Sequence, residues 1–293
     1  MDIFCDFCYS WGIHICESDM HAIYEDRSYA GGLPVVAYET RNMKFPAHWH
    51  ADVELVCVCN GSLLVGINNE PRILHKGDIA ICSSGDIHYY DCKSGESVHR
   101  MIIFRPELVD NAGGWPRGFS FSKPFAPAER SEELYQSFNA AYTTIRSEIM
   151  RTDLAATMLI RSSLLGLCGT LTRAMPTEAA SVVKATHRHH RLKAMQDALS
   201  FIESNFMESI TLKDAAEVAN MSVCHFSRLF GTIAGDSFKG YLNQLRVNKA
   251  EELIKASEES ITDIAYQCGY GSVRSFNRAF LSARGLTPSE FRG

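Results

Sequence analysis

The stretch GYGSVRSFNRAF, residues Gly269–Phe280, repeats a pattern already present in NMSVCHFSRLFG, residues Asn220–Gly231. Both stretches share the pattern S-V-x-x-F-x-R-x-F, with Ser222 of the first matching Ser272 of the second. A repeated pattern indicates that one structural unit occurs twice in the chain. Two copies are too few to stack into a solenoid, so the repeat favours a pair of similar binding units.

Each copy is predicted to form a helix, a tight turn and a second helix. Residues that cap helices begin these elements, Thr211 and Ser222 in the first copy and Thr262 and Ser272 in the second, and Gly285 ends the last helix. Two helices joined by a tight turn form the helix-turn-helix motif, whose second helix enters the major groove of DNA. The repeat therefore predicts two DNA-reading units.

A long helix from Ser237 to about Ala256 is predicted to join the two copies. A helix of about 20 residues spans about 30 Å, and one turn of B-DNA spans about 34 Å. A single chain can therefore place two second helices in successive segments of the major groove.

The composition fits a globular protein of two domains. The chain has 293 residues, of which 46% are hydrophobic, and this is enough for two sizeable cores. Its net charge is −5, and acidic residues slightly outnumber basic ones even after Lys193. A DNA-binding surface must therefore come from basic residues gathered on one face rather than from bulk charge.

No membrane segment or export signal is expected. The start, MDIFCDFCYS, is acidic where a signal peptide is basic, and no long apolar run predicts a transmembrane helix. We therefore expect a cytoplasmic protein whose ten cysteines are reduced. Cys5, Cys8, His14 and Cys16 have the residue types of a small zinc site, but without a second paired motif a packing role is favoured.

The hydrophobic pattern divides the chain into four parts. Residues 1–128 are predicted to form an N-terminal arm and a β-barrel, because short apolar runs alternate with turn residues from about Leu33 to Phe104. Residues 129–175 have helical periodicity. Residues 176–192, with the run HRHHR, are predicted to be a solvated linker rather than a metal site. Residues 193–293 contain the duplicated helical unit.

The segment from about Met195 to Arg292 resembles the DNA-binding domain of the AraC family of bacterial transcription regulators. The second copy, ITDIAYQCGYGSVRSFNRAFLSARGLTPSEFR, matches the signature of that family over its whole length, except that Tyr270 stands where Phe is usual. The linking stretch RVNKAEELI also fits. The resemblance implies promoter DNA as a partner, and RNA polymerase as a second partner if the protein is an activator.

The resemblance also implies which side chains face the bases of DNA. They lie at matching places on the two second helices, namely Val223, Cys224, Ser227, Arg228, Val273, Arg274, Asn277 and Arg278. Arg274 is expected to read a base, because a guanidinium can donate twice to guanine. Arg228 and Arg278 have an alternative role as phosphate contacts or structural ion pairs.

The strand-rich part resembles the cupin barrel. His48, His50 and Glu54 have the spacing of the first cupin motif, and His88 lies in a second motif with Ser83 where Pro is common. Cupin enzymes use these residue types to bind a divalent metal, and such ligands suit Fe, Mn, Ni or Zn. The alternative, favoured by the resemblance to AraC-family sensing domains, is a metal-free pocket in which the same groups hydrogen-bond an effector.

Together these patterns predict a multidomain α+β protein, with a cupin-like β-barrel and dimerisation helices followed by an all-α double helix-turn-helix domain. The predicted function is a non-enzymatic transcription regulator that responds to a small molecule, by analogy with the family a sugar or related carbon source. We expect a homodimer through residues 129–175 and no cofactor, apart from the alternative of a divalent metal in the pocket. The competing hypothesis is a metal-dependent cupin enzyme fused to a DNA-binding domain.

Overall fold

A computed structural model gives the fold of the chain, and it describes residues 29, 33–92, 95–110, 115–116, 119–127, 132–179 and 182–293. The N-terminal residues Cys5, Cys8, His14 and Cys16 lie outside the described residues, so their predicted packing role stays a prediction.

In the part of the chain that the structure describes, the N-terminal half consists of antiparallel strands, nine of which form two sheets, while β9 pairs with a later strand. The strands are β1 (Val35–Arg41), β2 (Lys44–His48), β3 (Val53–Asn60), β4 (Ser62–Ile67), β5 (Glu70–His75), β6 (Ile79–Cys82), β7 (His88–Asp91), β8 (Val98–Phe104), β9 (Phe119–Phe121) and β10 (Phe125–Ala126). One sheet has the order β1-β8-β3-β6-β10, and the other has the order β2-β7-β4-β5. The prediction of a β-rich N-terminal part is thereby confirmed.

Alternation along the strands gives the larger sheet two apolar faces. On β3, Val56 and Val58 point between the sheets and pack with Val65 of β4. Leu55 and Cys57 point the other way, toward helices that cover the outer face. Successive side chains of a strand face opposite sides, so a strand buried on both faces is apolar throughout, as the run VELVCVC is.

Two helices cover the outer face of the larger sheet. Helix α1 (Glu132–Glu148) and helix α2 (Leu154–Ala174) bury Phe138 and Leu164 in one core with Leu55. Among the described residues, α2 is the one helix that by length and composition qualifies as a membrane span, with a mean hydropathy of 1.5. The buried core helices of proteins can have the same length and hydropathy. Phe138 of α1 and Leu164 of α2 pack in the core formed with the larger sheet.

The segment predicted to be a linker has regular secondary structure, which corrects that part of the sequence prediction. Strand β11 (Thr177–Ala179) pairs with β9, and helix α3 (Val182–Asn205) begins inside the segment. The second half of α3 buries Met195 and Leu199. The polar run before Met195 carries no apolar period, so the sequence pattern marked only the buried half as helical.

The C-terminal part consists of short helices around one long one. They are α4 (Leu212–Val218), α5 (Val223–Ala234), α6 (Phe238–Ala256), α7 (Ile261–Gln267), α8 (Val273–Arg284) and α9 (Pro288–Arg292). Ser222 and Ser272 cap α5 and α8, as predicted. Helix α7 begins after Ser260, not at the predicted cap Thr262, because the Ser260 hydroxyl accepts a hydrogen bond from the backbone N–H of Asp263 at 3.1 Å.

The two helix-turn-helix units have separate apolar cores. Phe226 and Phe230 are fully buried in the first core, and Phe276 and Phe280 are fully buried in the second. The first core also contains residues of the β-rich part, among them Tyr89. The first unit therefore packs directly on the barrel, an interface that the hydrophobic periodicity does not predict.

Candidate functional site

The second helix of each repeated unit has one buried face and one exposed face. Seven of the eight residues predicted to face DNA lie on the exposed face of α5 or α8, and Val273 packs partly against the core of the second unit. Val223, Cys224, Ser227, Arg228, Arg274, Asn277 and Arg278 are exposed, and Val273 is half-buried. The structure thus places the predicted residues in two matching groups, each opposite a pair of buried phenylalanines.

Two arginines of the C-terminal part bond to neighbouring elements. Arg246 donates to the backbone carbonyl of Phe206 at 2.7 Å, and Arg284 donates to a carboxylate oxygen of Glu251 at 2.6 Å. These two arginines hold helices together.

The arginines on the exposed faces make no such bonds. The guanidinium groups of Arg228, Arg274 and Arg278 form no hydrogen bond or ion pair with any residue that the structure describes. The structural ion pair considered for Arg228 and Arg278 therefore has no partner among these residues. All three charges are available to a ligand outside the chain.

The spacing of the two exposed faces is set by α6. Its 19 residues correspond to about 28 Å at about 1.5 Å per residue. This is close to the length of one turn of B-DNA, about 34 Å. The exposed faces of α5 and α8 can therefore address successive major-groove segments.

Three histidines and a glutamate meet inside the barrel. His48 ends β2, His50 follows it, Glu54 lies on β3 and His88 begins β7. All four side chains are buried, and one candidate ligand atom from each lies within 4.8 Å of the others. Pairing of β2 with β7 sets His48 opposite His88. The structure brings together all four residues that the sequence selected for the pocket.

Backbone carbonyls orient the three imidazole rings. In each ring, Nδ1 lies within hydrogen-bonding distance of a carbonyl oxygen two residues away: His48 of Pro46 at 2.9 Å, His50 of Asp52 at 3.1 Å and His88 of Asp86 at 2.9 Å. A carbonyl oxygen only accepts, so Nδ1 carries the proton in each ring. The lone pair of a neutral ring is then on Nε2, the atom free to bind a metal.

A positive charge would stabilise the centre of the cluster, where electron-rich atoms lie close together. Nε2 of His50 lies 3.0 Å from a carboxylate oxygen of Glu54. A lone pair and a carboxylate oxygen at this distance repel each other unless a proton or a metal ion lies between them. Nε2 of His88 is buried, 3.8 Å from Glu54, without a hydrogen-bond partner among the described residues.

The four residues fit a divalent metal. Histidine and carboxylate are common ligands of such ions, and metal-binding histidines usually donate their other N–H to a carbonyl or carboxylate. All three histidines already have that second partner. The geometry thus favours the metal-holding alternative that the cupin resemblance raised.

Burial changes the acid–base behaviour of the rings. Removal from water lowers the pKa of His48 well below its usual value, and the neighbouring His88 lowers it further. Burial also opposes the charged form of His88, but contacts with Cys82 and Glu54 outweigh it and raise the pKa of His88 well above its usual value. The cluster therefore contains one ring that stays neutral and one that favours a positive charge.

Sequence reasoning missed Tyr90, which belongs to the same pocket. Its hydroxyl donates to the second carboxylate oxygen of Glu54 at 2.6 Å. Tyr90 lies two residues after His88 on β7, and residues two apart on a strand share a face. That alternation was the available signal. Burial raises the pKa of Tyr90 well above its usual value, and Cys82 and Glu54 raise it further, so it stays a donor.

Comparison with known proteins identifies the two domains that contain these sites. One family model, an AraC-like ligand binding domain, matches residues 32–167, and another, a helix-turn-helix domain, matches residues 215–293. The chain is 24% identical over 278 residues to the uncharacterized HTH-type transcriptional regulator YdeC of Bacillus subtilis (strain 168), covering 89% of this chain and 92% of YdeC.

Two further proteins are similar to the chain over most of its length. The HTH-type transcriptional activator RhaS of Enterobacter sp. (strain 638) is 24% identical over 269 residues, covering 90% of this chain and 94% of RhaS. Among solved structures, ToxT of Vibrio cholerae strain SCE256 with bound unsaturated fatty acid is 15% identical, with a TM-score of 0.43, covering 91% of this chain and 96% of that one.

The two matched domains occur in the order that the sequence predicted. The relatives named as transcription regulators match this chain over 92% and 94% of their own length. The chain therefore belongs to the AraC family of DNA-binding transcription regulators, with an N-terminal ligand-binding domain and a C-terminal helix-turn-helix domain.

Proposed function

We propose that this protein is a cytoplasmic regulator that reads promoter DNA with α5 and α8 and responds to a small molecule held at the His48, His50, Glu54 and His88 cluster. The observation that carries the proposal is the pairing of two exposed helix faces whose arginines have no partner among the described residues. In a domain without excess positive charge, those arginines supply the charge that DNA requires.

The roles of the eight DNA-facing residues follow from their chemistry. Arg228, Arg274 and Arg278 donate to base edges or phosphates, and Asn277 can pair with adenine. Val223, Val273 and Cys224 offer small apolar contacts, for example to a thymine methyl group, and the hydroxyl of Ser227 can bond to either partner.

The pocket is proposed to be the sensor. Its polar groups are buried away from bulk solvent. A ligand that forms hydrogen bonds with them therefore meets little competition from water. When bound, a divalent metal would give the effector a Lewis-acidic anchor for a carboxylate or hydroxyl oxygen. By analogy with the family, we propose a sugar or related carbon source as effector. The effector acts by binding one arrangement of the two domains more tightly than another.

Homodimerisation is proposed through helix α2. Leu154, Met158 and Leu165 are 74%, 63% and 49% exposed. Their spacing of four and seven residues puts them on one side of the helix, and an apolar stripe of this kind is typical of a contact surface. The activator names of some relatives support RNA polymerase as a further partner.

Selection of DNA from a randomised library tests the proposed function. Purified full-length protein should enrich a site with two conserved segments about 10 base pairs apart. No enrichment over unselected DNA would reject the proposal.

Because His48, His50, Glu54 and His88 could bind a metal ion, a second function is a metal-dependent cupin enzyme fused to a DNA-binding domain. Turnover assays of the metal-loaded protein on sugars, sugar acids and oxidisable diols address it. Turnover abolished by Glu54→Gln, with DNA selection intact, would establish the enzyme.

A further inference from the structure

The strands that line the pocket also carry the first helix-turn-helix unit on their other face. Ala47 and Trp49 flank His48, and Ile87 and Tyr89 flank His88. All four flanking residues are buried in one core with residues of α3, α5 and α6. Because neighbouring side chains on a strand face opposite sides, the histidines face the pocket and their neighbours face the DNA-binding domain.

Tyr89 is the tightest part of this contact. A methyl group on Gly66 of β4 or on Gly235, at the end of α5, would overlap the aromatic ring of Tyr89. The ring therefore lies directly against the backbone of both segments. Gly235 has a φ of 70°, and it ends α5 in the left-handed region where glycine is favoured.

Two hydrogen bonds accompany the apolar contact. The hydroxyl of Tyr241, on α6, donates to the carbonyl oxygen of Ala47 at 3.1 Å. The side-chain amide of Gln196, on α3, donates to the carbonyl oxygen of Gly85 at 2.9 Å. Ala47 lies one residue before His48, and Gly85 lies three residues before His88. Directional bonds of this kind fix the orientation of the docked unit as well as its position.

The second helix-turn-helix unit is placed differently. Its core consists of residues of α6, α7, α8 and α9 and the turns between them, and no barrel residue that the structure describes belongs to it. The DNA-facing side chains of α5 stay exposed while α5 is docked. The contact therefore fixes the first unit without covering its reading surface.

We propose that the face of β2 and β7 that carries Ala47, Trp49, Ile87 and Tyr89 is the surface through which occupancy of the pocket sets the position of the first DNA-reading unit. The second unit, whose core contains no barrel residue that the structure describes, is placed through α6 and through the contact of Gly269 with Met207. This inference rests on the proposed function of the pocket as a sensor. His88 and Tyr89 are consecutive, about 3.8 Å apart at their Cα atoms. A rearrangement of His88 around a ligand is thereby passed to Gly235 through one residue.

The matched glycines Gly235 and Gly285 give a test of the docking. Both end a second helix in the left-handed conformation, with φ of 70° and 75°. An added methyl group meets Tyr89 at Gly235 and nothing within 4 Å at Gly285. Alanine at either position strains the backbone alike, so only the difference between the two variants reports on docking.

Hydrogen–deuterium exchange of the full-length chain, without DNA or effector, is the measurement. Gly235→Ala should speed exchange of amides in β2 and β7 about tenfold, whereas Gly285→Ala should leave those strands as in the wild type. Equal effects of the two variants on β2 and β7 would overturn the docking.

The coupling itself is tested from the pocket side. His88→Gln should speed exchange in residues 223–235 about tenfold and leave residues 273–284 unchanged. Unchanged exchange in residues 223–235, or equal changes in both helices, would overturn the proposal. Protection of β3 serves as the folding control, and His48→Gln replaces His88→Gln if that protection is lost.

If both histidine variants lose that protection, Glu54→Gln, which removes the charge of the pocket at nearly constant side-chain volume, replaces them, and unchanged exchange in residues 223–235 would again overturn the proposal. Because no DNA is present, these outcomes are independent of the DNA selection that tests the proposed function.

Discussion

Tyr90 donates a hydrogen bond to Glu54 at 2.6 Å, joining β7 to β3 across the interior of the barrel. The bond uses one carboxylate oxygen and leaves the other 3.0 Å from His50. The glutamate is thus held in one orientation by a residue outside the predicted site. Loss of such a supporting partner typically weakens metal binding about 10- to 100-fold.

We expect the pocket to hold one divalent metal per chain after dialysis against zinc and removal of excess ion. His50→Ala should abolish retention, and Tyr90→Phe should weaken it about 10- to 100-fold. His75→Ala, an exposed histidine on β5, is the control and should bind as the wild type does. Metal emission spectroscopy gives the stoichiometry, and retention of zinc by His50→Ala would show that the cluster is not the site.

His99 should make folding sensitive to acid. Both ring nitrogens are buried without a partner among the described residues, and burial lowers the pKa of His99 to about 4. The folded state then binds fewer protons than the unfolded state between pH 6.5 and 4, so stability falls as the pH falls through this window.

The matching variant is His99→Leu, which removes the titrating group. Relative to His99→Leu, the wild type should lose about 2 kcal/mol of unfolding free energy between pH 7.5 and pH 5. Urea denaturation at the two pH values measures the difference. Parallel losses in the two proteins would mean that His99 does not titrate in this way.

Charge on the exposed stripe of α2 should prevent dimerisation. Met158→Glu places a carboxylate in the stripe formed with Leu154 and Leu165, and burying it in an interface is unfavourable. Leu159→Glu is the control, because Leu159 is 48% exposed but points to a different side of the helix. Light scattering should report a dimer for the wild type and Leu159→Glu and a monomer for Met158→Glu. A dimeric Met158→Glu protein would place the interface elsewhere.

Local sequence rules predict the helical domain well because its determinants are local. Ser222, Ser272 and Gly285 act within one turn of their own helix, and each does what the sequence predicts. Thr262 fails because Ser260, two residues earlier, is an equally good cap. Two competing caps so close together cannot be ranked without the packing of the helix that follows.

Nonlocal contacts escape these rules. The spacing of His48, His50 and Glu54 and the second motif around His88 identify the pocket. Alternation along β7 puts Tyr90 on the same face as His88, but its hydrogen bond to Glu54 joins two strands that are far apart in sequence. The contact between Tyr89 and Gly235 joins segments with unrelated periodicity. The sequence pattern of neither segment predicts that the two segments pack against each other.

Binding of arginine variants to a randomised operator library at two salt concentrations tests most directly whether α5 and α8 read DNA in two separate groove segments. Arg274→Ala should weaken binding about 5- to 150-fold and relax preference in one half of the site. Arg228→Ala should do the same about 10 base pairs away, and the two losses should nearly add.

Arg191→Ala is the control. Arg191 is an exposed arginine of α3, outside both second helices, so its loss should leave sequence preference unchanged. A phosphate-binding arginine would instead weaken all sequences alike and lower the salt slope by about one. The result predicted here is two separate losses of base preference, one from Arg228→Ala and one from Arg274→Ala. Altered preference at the same base pairs in both variants, or uniform loss in either, would contradict the two-groove arrangement.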